Sequence, residues 1–501
     1  MSWATTIEKS REAMASGEIR LLLKERWNVG SEYISGIAHT KRFLERWTAD
    51  PVFRNETCID ARRTAEKYNL QADPEDIRLL WDVEAGKTIN PDAAVPLAVR
   101  RYQSFVQEKL EYRDVIRLAG HPTNLAFRDW RKRQVYRTAT EIGIEKAHGI
   151  VHAPIVFELS KGCSVGCWFC GVSAPKLVSN WLYNYENAKL WQEILEISNG
   201  IIGSAAARGF CYWATDPLDN PDYELFLKDF YQILGIFPQT TTAIAQRDPA
   251  RVRKLLELSE SLNGELNRFS IISLTQLDKI FEMFSAEELT FVELVTQNEG
   301  TLTGKAVAGR ARELRFRSKL EKSMQHVDLV HTGTIACVSG FHFSMVDKVL
   351  RLISPCNANE EWPLGYRIYD EQKFETAKDV EAIITNMIVT QMKTRLSLSR
   401  EITIRDDLSI EYTEQGFNLN ARTMKYSFSG PLPWMQLGKI LDGSSMSVEL
   451  IALSMKEDAG VEFEETLLML NQMFEYGIFE ENPPWRCSPG IEQKKPIINP
   501  Q

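Results

Sequence analysis

The chain has 501 residues, 44% of them hydrophobic and 25% charged, with a formal net charge of -9, the balance of a soluble protein long enough for two or three domains. The acidic balance argues against general nucleic-acid binding, which needs Lys and Arg against phosphates, and no apolar run is long enough to span a bilayer. Eight cysteines are too few for a secreted disulfide scaffold, and the N-terminal MSWATTIEKSREAMASGEIR lacks the apolar core of a signal peptide, so the expected compartment is the cytosol.

Residues 1–150 read as a helical domain. Apolar side chains recur at three- and four-residue spacing in IRLLLKERW and KRFLERW, and Asp73 is placed to cap a helix beginning at Pro74. A packed helical layer is the simplest role for this domain; a lid or docking surface is the sharper one.

From Val151 to about residue 400 short apolar runs alternate with helical ones. IVFEL precedes a helix around Ala188 to Ile197, and GFCYWA one from Tyr223 to Ile236. TTTAIAQ leads into PARVRKLLELSESL, and RFSIIS into LTQLDKIFEMF. FVELVTQN precedes a basic segment from Lys305 to Lys322, and GTIACVSGF precedes FSMVDKVLRLI. Six strand-then-helix units predict an α/β fold, a parallel sheet with its helices outside, too short to close an eight-stranded barrel. The basic segment carries Arg310, Arg312, Arg315, Arg317 and Lys319; such a run reads as a solvated helix face or as the wall of a path for an acidic peptide.

The chemistry concentrates in ELSKGCSVGCWFCG. Cys163, Cys167 and Cys170 are separated by three and then two residues, in a loop where Gly162 and Gly166 let the backbone turn. Three soft sulfur ligands suit a [4Fe-4S] cluster with one iron left open for a chelating small molecule. Zinc, which draws four ligands and often two CxxC pairs, and three buried thiols are the competing readings. Farther on, LISPCNANEEWPLGY puts Cys356 in a Pro-flanked loop at the rim or mouth of the sheet opening. A thiol there can give a hydrogen atom to a carbon radical, although packing and ligation of a second cluster are alternatives. Only Cys337, Cys356 and Cys487 follow the alternating region, which favours one cluster over two.

Residues 401–480 change character. SIEYTEQGFNLN and TMKYSFS read as paired strands, followed by helices in LPWMQLGKILDG, SVELIALSMKEDAG and FEETLLMLNQMFEYG and a short strand, IFE. Strands followed by three helices make a winged-helix pattern. It resembles the peptide-recognition domain of enzymes that modify ribosomally made peptides, which implies a leader peptide adding a strand to the sheet edge; the competing DNA-binding reading fits poorly, because the recognition helix Val448 to Asp458 carries Lys456 against Glu449, Glu457 and Asp458. Residues 481–501 are Pro-rich and read as a loose tail.

The cysteine spacing at the end of a first strand resembles that of radical S-adenosylmethionine (SAM) enzymes. The resemblance implies an open partial (β/α)6 barrel, with SAM bound to the open iron and cleaved to a 5'-deoxyadenosyl radical. It implies that Phe169 lies beside adenine, and that YWATDPL, from Tyr212 to Leu218, replaces the family's Gly-Gly-Glu-Pro, with Asp216 accepting from the SAM ammonium; a turn-forming Asp-Pro pair is the alternative. Ser273 is placed to reach the SAM ribose or carboxylate.

ELSKGCSVGCWFCG, IACVSGF and LISPCNANEEWPLGY, with the helical N-terminus and the C-terminal domain, closely resemble the amino-acid epimerases that mature proteusins. That resemblance implies conversion of L- to D-residues in a ribosomally made precursor peptide with a nitrile-hydratase-like leader. Removal of an alpha hydrogen would be followed by return of hydrogen from Cys356, with Cys337 the second candidate. An electron donor such as flavodoxin or ferredoxin is the other implied partner. The competing enzyme class forms thioether or carbon–carbon crosslinks, and the competing non-enzyme is an iron–sulfur sensor.

Overall fold

A computed structural model describes residues 18–25, 28–88, 95–304, 306–314 and 333–481. Most of the first 17 residues' reading, Lys305, Arg315, Arg317, Lys319, Cys487 and the Pro-rich tail beyond residue 481 lie outside the described residues.

The N-terminal layer is helical: α1 (Ser31–Ala49), α2 (Pro51–Ile59), α3 (Ala61–Lys67), α4 (Leu97–Ala119) and α5 (Leu125–Ile142). Local chemistry sets the boundaries. Asp50 accepts from the Val52 and Phe53 amides ahead of Pro51, which fixes the start of α2. Asn124 caps α5, which ends at Gly143 with φ of 91°. Asp73 does not start a helix at Pro74. Its carboxylate accepts from the Glu75 amide in a turn, and helix forms only over Arg78–Trp81, a side chain-to-backbone bond competing with helix propagation.

The next strand, β1 (Ala153–Glu158), is buried at all six positions. Ile155 and Phe157 face a helical core that includes α6 (Tyr185–Ile202) and α7 (Tyr223–Leu234). The Phe157 and Trp191 rings meet edge to face at 4.6 Å. Val156 lies on the opposite, inner face with Phe210, Val338 and Ile353.

The expected second strand, GFCYWA, is reduced to one parallel bridge between Phe210 and Val156. The Tyr212 hydroxyl continues the connection to Thr241 at 2.8 Å, on β2 (Thr241–Thr242). After α8 (Pro249–Ser261), β3 (Asn267–Ile271), α9 (Leu274–Met283) and β4 (Val292–Thr296), β2, β3 and β4 form a parallel set.

The sixth unit departs from expectation. β5 (Val338–Ser344) runs parallel to β1, pairing His342 with Val156, but FSMVDKVLRLI is no helix. Met345 to Lys348 turn the chain, with Lys348 at φ of 50°, into β6 (Val349–Pro355), antiparallel to β5. β7 (Tyr366–Lys373) then pairs antiparallel with β6. A strand buried on both faces carries apolar residues without alternation, which periodicity alone cannot tell from a helix. The resulting sheet has the order β1-β5-β6-β7, and among the described residues no sheet closes on itself.

After α10 (Ala377–Gln391) a separate apolar cluster spans Leu396 to Phe479. SIEYTEQGFNLN is itself a hairpin of β8 (Ser409–Thr413) and β9 (Gly416–Asn420), joined by β10 (Lys425–Ser429) in an antiparallel sheet. The helices α11 (Trp434–Leu441), α12 (Val448–Ala459) and α13 (Phe463–Glu475) follow, and IFE contributes one bridge, Ile404 to Phe479. No further strand among the described residues pairs with the outer edges of β8 and β10. No helix among the described residues is long and apolar enough to cross a membrane.

Candidate functional site

The loop after β1 holds Cys163, Cys167 and Cys170, all half-buried. Gly162 makes the entry possible. At φ of 83° a Cβ there would meet the Lys176 carbonyl oxygen at 2.2 Å. The loop then closes on itself, with the Cys163 amide donating to the Pro175 carbonyl at 2.9 Å and the Leu177 amide to the Cys163 carbonyl at 3.2 Å.

Backbone amides point at two of the sulfurs: Val165 N–H lies 3.5 Å from Cys163 Sγ and Ala174 N–H 3.3 Å from Cys170 Sγ. Burial, then the neighbouring Cys163 and Cys170 sulfurs, push the Cys167 thiol up to about 12. Among the described residues no three His, Cys, Asp or Glu side chains form a group arranged to hold a metal ion. The donor set still fits a soft metal: three sulfurs on one loop, two already facing N–H donors of the kind that stabilise metal-bound thiolates.

Arg310 ties this loop down. Its guanidinium donates to the Cys167 carbonyl at 2.5 Å and the Ala174 carbonyl at 2.6 Å, and its amide to the Cys170 carbonyl at 2.9 Å. Far from being a solvated member of the basic run, it is a clamp. Next to it, the Gly309 amide donates to the Pro363 carbonyl at 2.7 Å, which joins the cysteine loop to LISPCNANEEWPLGY. Residues 333–335 make a second seam: Gly333 N–H reaches the Asn357 side chain, Thr334 Oγ1 reaches the Gly365 carbonyl, and Ile335 packs on Gly171.

Cys356, 0% exposed, closes β6 with its amide donating to the Gly365 carbonyl. Burial pushes its thiol up to about 12, and that of Cys337, just before β5, up to about 11. Both sulfurs therefore carry their hydrogen at neutral pH. The loop beyond Cys356 is held by Glu141 of α5, which accepts from the Asn357 amide at 3.0 Å and from Arg137 and Arg367 at 3.0 and 2.8 Å.

Asp216 lies beside the cysteine loop, its backbone amide at the Cys163 sulfur. Its carboxylate accepts from Leu218 N–H, Thr242 Oγ1–H and Ala243 N–H at 3.1, 2.8 and 2.6 Å. It thereby caps the short helical turn Pro217–Asp219 and pins it to β2, and burial raises its carboxyl to about 6. Ser273, exposed, caps α9 by accepting from the Gln276 amide at 3.1 Å. Phe169 stands edge-on to Trp168 at 5.3 Å, and Trp168 is 49% exposed.

Sequence reasoning missed the inner face. Glu158, 8% exposed, points from the end of β1 toward His342 of β5, 2% exposed. One Glu158 oxygen accepts from Ala214 N–H at 2.9 Å, and the other stands 3.6 Å from His342 Nε2. Trp213 stacks tilted against His342 at 5.4 Å and edge-on against Tyr366 at 5.5 Å. The signal was there in IVFEL, a lone carboxylate in an apolar strand. A cavity of about 590 Å³ near Leu23, Tyr112 and Gly264 borders the N-terminal end of β3, remote from this face, and its Glu108 is taken up by the Leu23 and Lys24 amides.

No family model and no solved structure matches the chain. It is 36% identical over 470 residues, 91% of both chains, to the uncharacterized protein y4wI of Sinorhizobium fredii. The chain belongs to the y4wI family.

Proposed function

We propose that this chain is a cytosolic radical SAM enzyme that inverts residues of a ribosomally made precursor peptide. The observation that supports this most is the cysteine loop at the carboxyl end of a parallel strand, sewn through residues 309–310 and 333–335 to the loop that carries Cys356. Cys163, Cys167 and Cys170 would hold the cluster, and the cluster with bound SAM supplies a 5'-deoxyadenosyl radical.

Inversion asks two things of the chain. The chain must hold the peptide with one alpha C–H turned toward the cofactor, to which that hydrogen atom would be lost. A second hydrogen atom must then reach the planar carbon from its other face, and Cys356, protonated and shielded from water, is fit to break its S–H bond for this. The thiyl left behind needs one electron and one proton to become a thiol again. A small electron-transfer protein such as flavodoxin or ferredoxin supplies the electron, and solvent supplies the proton. The edges of β8 and β10, left unpaired among the described residues, suit a leader peptide adding a strand.

The test is mass spectrometry of the precursor peptide co-expressed with the enzyme in deuterated water. Specific core residues should each gain one deuterium at the alpha carbon. Cys356→Ala should still form 5'-deoxyadenosine but leave the peptide unlabelled. Loss of hydrogens or gain of a methyl group by the peptide would instead mean a different radical modification.

A further inference from the structure

Two carboxylates border the loop after β1, and they differ in what they have left to give. Asp216 already accepts from three donors, two on one oxygen and one on the other. Glu158 accepts only from Ala214 N–H, on one oxygen. Its second oxygen has the His342 ring alone, with Nε2 at 3.6 Å, and His342 Nδ1 on the far side of that ring makes no hydrogen bond among the described residues. The His342 side chain is 2% exposed and that of Glu158 10%.

A buried carboxylate oxygen whose one neighbour stands beyond good hydrogen-bond distance is costly, and the cost falls when a ligand brings N–H donors and positive charge. Trp213 and Tyr366 add aromatic surface next to the pair, which favours a cation over a neutral donor. The position is also right. Ala214, held by Glu158, is two residues from Asp216, whose amide stands at the Cys163 sulfur.

We propose that Glu158, with His342 beside it, takes the alpha-ammonium group of SAM, and that Asp216 instead braces the loop. This rests on the radical SAM reading above and names, within it, a cofactor-binding residue other than the one the sequence pattern suggests. Glutamine at 158 keeps an oxygen for Ala214 N–H and loses only the charge, so a bracing role and a binding role predict different results.

The experiment is equilibrium dialysis of anaerobically reconstituted full-length protein, without reductant, against SAM and against its analogue lacking the amino group. Iron content is measured on each sample. Wild type should prefer SAM by roughly ten- to hundred-fold, the weight of a charge-assisted hydrogen bond. Glu158→Gln should load the same iron and bring that preference close to one, while Asp216→Asn should keep it. If Glu158→Gln does not load iron, His342→Phe, which leaves the Ala214 contact intact, should still reduce the preference severalfold. An undiminished preference in Glu158→Gln, or in His342→Phe where that variant is used, overturns the assignment, as does its loss in Asp216→Asn alone. A wild type that takes up neither iron nor SAM overturns the functional reading itself and the assignment with it.

Discussion

Glu141 carries more of the candidate site than any cysteine's immediate neighbour. Burial pushes its carboxyl up, but Arg367, Arg137 and Arg405 outweigh that and hold it down at about 2. Because the folded value lies below the ordinary 4.5, the stabilisation is fully present above about pH 4.5 and is lost as pH falls toward 2. Glu141→Gln should therefore cost about 3–5 kcal/mol at neutral pH, the range for breaking a buried ion pair. Urea midpoints of the variant and of wild type should converge as the pH is lowered from 4.5 to 3. Glu141→Ala also frees the Asn357 amide, so in that variant Cys356 should react faster with iodoacetamide. At Arg310 the loss is local: Arg310→Gln cannot span the Cys167 and Ala174 carbonyls and should retain less iron after desalting, with little change in thermal midpoint. The cysteine spacing could be read because all three cysteines sit within eight residues. Glu141 and Arg310 were not, since all their partners but Arg137 lie more than a hundred residues away and charged side chains on a helix or in a basic run ordinarily face water.

At the level of elements, one residue can decide an end, as Asp50 with Pro51 does for α2 and as Gly235 does for α7, whose left-handed backbone stops the helix short of the Ile236 read from the sequence. Reading failed where tertiary burial decides, and β6 is the clear case. Its burial on both faces comes from α10 on one side and the inner cluster on the other, and nothing within eleven residues reports that. The second strand failed for a related reason: residues 210–212 reach β1 and β2 by one bridge and one hydroxyl rather than by a ladder. The β1–β5 pair also depends on a close approach, since a Cβ at Gly340 would sit 2.0 Å from the Pro154 carbonyl oxygen. Gly340→Ala should force those strands apart and cost about 3 kcal/mol or more, read as a lowered urea midpoint. A thermal midpoint equal to that of wild type would show that the strands can separate there without penalty.

Across the whole molecule α5 is the shared wall. Phe127 and Trp130 pack on Phe341 and Tyr369 of the strands, while Arg133 and Arg137 pair with Glu481 and Glu480 at the end of the C-terminal unit. Arg405 returns the contact by donating to Thr140 and to the Gly477 carbonyl. A chain ending at Arg400 leaves Arg133 and Arg137 without those carboxylates, so it should melt below the full-length protein and aggregate on heating, measured by differential scanning calorimetry with light scattering. Charge pairs of this separation in sequence were invisible to any local reading, although the helical layer, the alternating middle and the late change of composition were each legible as regions.

The rigidity of that wall has a consequence for how a peptide would be processed. With the C-terminal unit that carries the β8–β10 sheet tied to α5 through Arg405, Glu480 and Glu481, a leader captured on the sheet edge would not be swung toward the cysteine loop. The peptide's own spacer must cover the fixed gap. Spacer length then acts as a ruler: residues too near the leader cannot reach, those at matching distance meet the site at high effective concentration, and those beyond it meet the site less often. Inserting a few flexible residues between leader and core should move the pattern of modified positions by the same number toward the leader.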